Sequence, residues 1–226
     1  MMKRLKTAAA IVVLAGFVVG LAVFWRAPGT NLPDLLPGEE RQLARVLEAC
    51  RSGRLDEISY GHTEAVVQIG GRAVPHIAAE LARWRAGRPE ARTARGAILV
   101  DILYRLVRRL PPQDPGRDGG LDAICLCLRP DYRSASLEHD RKVAAAALAA
   151  LGTIERLPAL HELLEGLQAR GATANDNAAN ERLSDYLRQA IASLDSDERP
   201  APPPSLCWLP LPDGTWKRGF NDPLAR

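Results

Sequence analysis

Two segments of this chain repeat one grammar, and that repetition limits the folds open to it more than any other feature. Residues 64–84, EAVVQIGGRAVPHIAAELARW, read as an apolar helix, a glycine stop at Gly70 and a second helix carrying Pro75. Residues 142–167, KVAAAALAALGTIERLPALHELLEGL, give an alanine-rich helix, a stop at Gly152 and a second helix carrying Pro158. Glycine closes a helix because it reaches the left-handed conformation without a Cβ clash. Proline is accepted in a first helical turn, where its missing N–H has no intrahelical partner. Alanines let paired helices approach closely, and leucines on the second helix fill the groove between layers.

The two prolines lie 83 residues apart, close to twice a helical-repeat period of about 40–47. A middle unit is therefore expected between them. Ala91–Leu110 supplies its first helix, with Ile98, Leu99, Ile102, Leu103, Leu106 and Val107 on one face and Pro89 near its start. Its partner helix is expected over Leu121–Leu128, after a loop at 111–120 (PPQDPGRDGG). Upstream, Leu43, Val46, Leu47 and Cys50 fall at i, i+3, i+4 and i+7 and make one apolar stripe, which Gly53 ends. Downstream, Asn180–Leu194 carries Leu183, Leu187, Ile191 and Leu194 at helical spacing. The composition agrees: 46% of residues are hydrophobic but only 5% aromatic, which suits small-residue helix packing better than a β-rich core.

The two clear units resemble HEAT repeats, and more closely the HEAT-like repeats of phycobilisome-lyase-type proteins. Ala65, Ile69, Gly70, Ala73, Val74, Pro75, Ile77 and Leu81 carry the likeness in the first unit. Ala145, Leu148, Leu151, Gly152, Leu157, Pro158, Leu160 and Leu163 carry it in the second. The likeness covers about half the chain and implies an all-α fold, a short α-solenoid of HEAT-like helical hairpins over residues 39–196. It also implies an interaction surface more than an activity, since such solenoids mostly bind other proteins and a minority carry enzymatic sites. An enzyme or enzyme subunit, lyase-type or metal-dependent, is the alternative.

Lys3, Arg4 and Lys6, within residues 1–6, precede an uncharged stretch at 7–25 (TAAAIVVLAGFVVGLAVFW). Nineteen residues approach the roughly 20 that a membrane-spanning helix needs. Basic residues before it and Asp34, Glu39 and Glu40 after it predict an N-terminus inside and the rest exported. The expectation is a single-pass inner-membrane protein anchored through 7–25, with an extracytoplasmic repeat domain. A cleaved signal peptide is the competing reading, although its apolar region is usually about 7–15 residues. Residues 26–38, rich in proline and glycine, form a linker.

Residues 197–226 depart from the helical pattern. Pro200–Pro204 is expected to be extended, and Pro212-Asp213-Gly214 a turn joining two short extended pieces. Trp208, Trp216 and Phe220 are too hydrophobic for an idle tail, which is expected either to cap the open end of the solenoid or to dock a partner.

The chemistry-bearing residues form no catalytic constellation. His161-Glu162 is a lone dyad, where a di-iron site in such solenoids needs several. Asp114, Asp118 and Gly119 miss the calcium-loop pattern, with glycine at the third ligand position and Cys125 at the twelfth. No nucleophile elbow or phosphate loop occurs, so no cofactor and no metal are expected. Cys50, Cys125, Cys127 and Cys207 show no CxxC spacing, and their pairing is left open. A net charge of +3 does not suggest nucleic acid. Arg83, Arg85, Arg88, Arg92 and Arg95, near the junction of two repeats, form a candidate interaction patch with Trp208 and Trp216. An acidic partner protein or anionic lipid headgroups would suit the arginines.

Overall fold

The computed structural model describes residues 32–84, 88–170, 177–196 and 201–224. Eight helices occur among them: α1 (Pro37–Ser52), α2 (Tyr60–Gln68), α3 (Ala73–Arg83), α4 (Ala97–Arg109), α5 (Pro115–Leu126), α6 (Leu137–Leu151), α7 (Leu157–Arg170) and α8 (Asn177–Asp195). Helices α2, α4, α6 and α8 begin 37, 40 and 40 residues apart, at Tyr60, Ala97, Leu137 and Asn177. They lie side by side as a front layer, each packed on the next, and α1 packs on α2. Behind them α3 packs on α5, α5 on α4, and α7 on α8. The result is a two-layer helical stack of the α-solenoid kind.

The expected glycine stops are present. Gly53, Gly70 and Gly152 have φ of 75°, 74° and 65°, and each ends a helix at a place where an L-residue would be strained. Pro75 and Pro158 sit in the first turns of α3 and α7. The alanine run of α6, Ala144–Ala149 with Leu148, is buried almost completely, which lets α6 sit between α4 and α8. At the centre, every residue of α4 from Ala97 to Val107 is buried, including Asp101 and Arg105.

The middle unit begins and ends differently from expectation. The expected helix from Ala91 breaks at 93–96, because Asp140 from α6 reaches across to cap α4, accepting from the Gly96 and Ala97 N–H groups at 2.9 Å each. Tyr132 and Ser136 donate to the same carboxylate at 3.0 and 2.8 Å. The expected loop at 111–120 is half helix. Pro115 takes the first helical position and Asp114 accepts from Gly116 N–H at 2.8 Å. Glycines survive in this helix for lack of room: a Cβ on Gly120 would lie 2.6 Å from Val107 Cγ2, and one on Gly116 3.1 Å from Gly71 Cα.

Two expectations are corrected. The chain is not all-α, because β1 (Trp208–Pro210) and β2 (Trp216–Arg218) pair antiparallel, in register Trp208 with Arg218 and Pro210 with Trp216. The turn was expected at Pro212-Asp213-Gly214; the pairing follows from it. Gly214 has φ 80°, and Asp213 accepts from Thr215 N–H and Oγ1 at 2.9 and 2.6 Å, closing the hairpin. The single-pass inner-membrane placement is also corrected. No helix among the described residues is long and apolar enough to cross a membrane. The apolar α4 has 13 residues, about 20 Å at 1.5 Å per residue, against a hydrocarbon core of about 30 Å. The 19-residue α8 is amphipathic, with Arg182, Asp185 and Arg188 outward. The expected span at 7–25 lies outside the described residues.

Candidate functional site

The tail does not cover the end of the stack; it runs across the front layer, from α2 to α8. Its hold begins at Asp101, fully buried in α4. Asp101 Oδ1 accepts from Ser205 Oγ at 2.8 Å, Leu206 N–H at 2.6 Å and Cys207 N–H at 3.4 Å. Burial raises the Asp101 pKa, while Arg105 and these donors oppose the rise. Tyr104 donates to the Pro203 carbonyl at 2.7 Å, and Cys207 Sγ lies 3.4 Å from the Ala97 carbonyl. One buried carboxylate therefore fixes a backbone segment more than a hundred residues away in sequence.

Aromatic contacts extend this hold to both sides. On α2, Tyr60 stacks on Trp216, with ring centroids 3.9 Å apart and planes 5° from parallel, and meets Trp208 edge-on at 6.2 Å. The buried Arg105 lies over the other face of Tyr60 at 4.6 Å and also donates to Thr63 Oγ1 and Glu64. Arg109 joins Glu64 at 2.8 Å. On α6 and α8, Phe220 meets His139 edge-on at 5.7 Å and Tyr186 at 6.3 Å. Tyr186 then donates to Asp222 at 2.6 Å.

Between tail and helices a pocket of about 480 Å³ remains open. Arg95, Ile98 and His139 line it from the stack, and Cys207, Arg218 and Phe220 from the tail. Its walls are tied down by backbone bonds: Arg95 N–H to the Cys50 carbonyl at 2.9 Å, Gly219 N–H to Cys207 at 3.0 Å, and Asn221 N–H to Leu206 at 2.8 Å. Gly219 packs closely there: a Cβ would lie 2.8 Å from Leu209 Cδ1, so that side chain would have to turn aside. The His139 pKa is lowered, chiefly by partial burial.

The residues singled out from sequence do not form one patch. Arg83, Arg88, Arg92 and Arg95 are all exposed, on and just beyond the end of α3, and Arg83 lies 3.5 Å from Glu80. Arg85 lies outside the described residues. Trp208 is buried at 4% exposure and Trp216 is half-buried on Tyr60, so both serve the fold from within. Sequence reasoning assigned no role to Asp101, His139 or Arg218. The buried Asp101, an acid within an apolar helix face, was the one signal that could have been read.

All four cysteines are free thiols. Burial pushes the Cys50, Cys127 and Cys207 thiols far up, and that of Cys125 to about 11, so none is a ready nucleophile. No protein-family model, curated protein or solved structure matches this chain.

Proposed function

We propose that this chain is a HEAT-like helical-repeat module that binds another protein, one presenting an acidic surface. The observation that supports the reading is the arginine edge: Arg88, Arg92 and Arg95 stand exposed within eight residues and make no ion pair among the described residues. Their charge is free for a partner, whereas Arg105 and Arg109 spend theirs on Glu64. Clustered cations of this kind steer association more than they hold it.

The test compares the full chain with an Arg88→Glu/Arg92→Glu variant as bait in extracts of the native cell. A protein retained by the first at low salt and lost by the second should then bind the purified chain directly. Its association rate should fall at least tenfold on charge reversal and fall with salt. A partner whose affinity and salt dependence ignore the reversal refutes the arginine edge as its site.

A further inference from the structure

We propose that the pocket between the tail and the front helices binds a carboxylate carried on a short apolar stem. Its volume, about 480 Å³, falls in the range of small-ligand sites. Ala97, Ile98 and Phe220 give it apolar lining, and Arg95 and Arg218 line it from separate parts of the chain. Neither arginine is in an ion pair among the described residues, and both are exposed. A guanidinium meets a carboxylate through two parallel hydrogen bonds, and the stem would gain by burial against Ile98 and Phe220.

Most of the nearby acids are committed elsewhere. Asp140 spends its oxygens on Gly96, Ala97, Tyr132 and Ser136. Asp101 faces the tail backbone, and Glu138 pairs with Lys142 at 3.1 Å. Asp56 stands exposed on the rim as the one carboxylate lining the pocket. Because backbone hydrogen bonds set the walls beforehand, a ligand need order chiefly the two arginine side chains on entry. The tail is then half of a binding site as well as a cover.

The carboxylate could come from an acidic side chain of a partner protein or from a free short-chain acid. For the first source alone, the inference rests on the acidic partner proposed above. The experiment titrates the full chain, by ligand-observed NMR, with hexanoate, with hexanol as its uncharged counterpart, and with a terminally blocked Leu-Glu-Leu peptide. Hexanoate should bind at least tenfold more tightly than hexanol. Arg218→Ala and Arg95→Ala should each weaken it at least tenfold while the near-UV dichroism of the Tyr60–Trp216 stack stays unchanged. A peptide tighter than hexanoate assigns the pocket to a partner's side chain, and the reverse order to a free acid. Equal binding of hexanoate and hexanol, or indifference to both alanine variants, overturns the proposal. Arg88→Glu/Arg92→Glu separates the two readings, since it should abolish partner capture and leave the hexanoate affinity within twofold.

Discussion

Replacing Trp208 by alanine measures how far the tail belongs to the fold. Trp208 is 4% exposed, and a buried tryptophan removes about 150–250 Å² from water. At about 25 cal/mol per Å² that is worth about 4–6 kcal/mol, or about 3–4 once the compactness of the unfolded chain is allowed for. The indole Nε1 is buried with no acceptor among the described residues, and an unmatched donor costs about 1–3 kcal/mol, which alanine recovers. The expected net loss is about 2 kcal/mol. Trp208→Phe keeps most of the ring and drops the donor, so it should cost less than about 1 kcal/mol. Trp216→Ala, at a half-buried ring stacked on Tyr60, should cost about 2–3 kcal/mol, from the covered part of the ring and the stack together. Urea unfolding of the full chain, followed by far-UV dichroism, gives the three values. With a slope of about 2 kcal/mol per molar urea, Trp208→Ala should move the midpoint down by about 1 M. A midpoint within about 0.2 M of the parent at unchanged slope would mean that the tail contributes nothing to the stack.

Asp140→Ala removes the acceptor shared by Gly96, Ala97, Tyr132 and Ser136, and should cost about 3 kcal/mol in the same assay. Gly120→Ala should destabilise by about 1–3 kcal/mol, because its Cβ meets Val107 at 2.6 Å. Gly166→Ala, in α7 with nothing within 4 Å, should stabilise by about 0.5–1 kcal/mol through helix propensity; an equal sign for the two would contradict the packing at α4 and α5. His139, its pKa lowered from 6.5 mainly by partial burial, favours the neutral form in the fold. Its contribution is therefore complete above the unfolded pKa of about 6.5 and lost as pH falls through the lower folded value. An NMR titration should place its midpoint below 6.5, and Phe220→Ala should raise it by opening that side of the ring.

The stack was legible where local chemistry decides it. Gly53, Gly70 and Gly152 had to be helix stops, and the apolar stripe Leu43, Val46 and Cys50 had to face a core. Residues 115–120 were misread because glycine and proline ordinarily mark turns. Here Gly116 and Gly120 are excused by contacts with Gly71 and Val107, which sequence spacing cannot show. The tail was misread for a related reason. Trp208 and Trp216 have the composition of a docking segment, and they do dock, but onto Tyr60 of the same chain. Asp101 stands four residues from Arg105, which pairs with it at 3.6 Å, but the hydroxyl and backbone N–H groups that share its charge lie beyond residue 200. Periodicity reports which face of a helix is apolar; it does not report what will arrive to cover a charge on that face.

The bond between Asp101 and Ser205 spans 104 residues, and this sets an order on the molecule's making. At about 5–20 residues per second of synthesis, Ser205 follows Asp101 by roughly 5–20 s. During that interval α2, α4 and α6 can assemble with their front uncovered, the Asp101 carboxylate answered only by Arg105 at 3.6 Å and the Arg95 pocket without its second wall. Helices that meet near neighbours fold early, so the stack precedes its tail. Any ligand that needs both Arg95 and Arg218 is refused until the chain has been read past residue 218, and occupancy of that pocket marks a tail already laid across its stack.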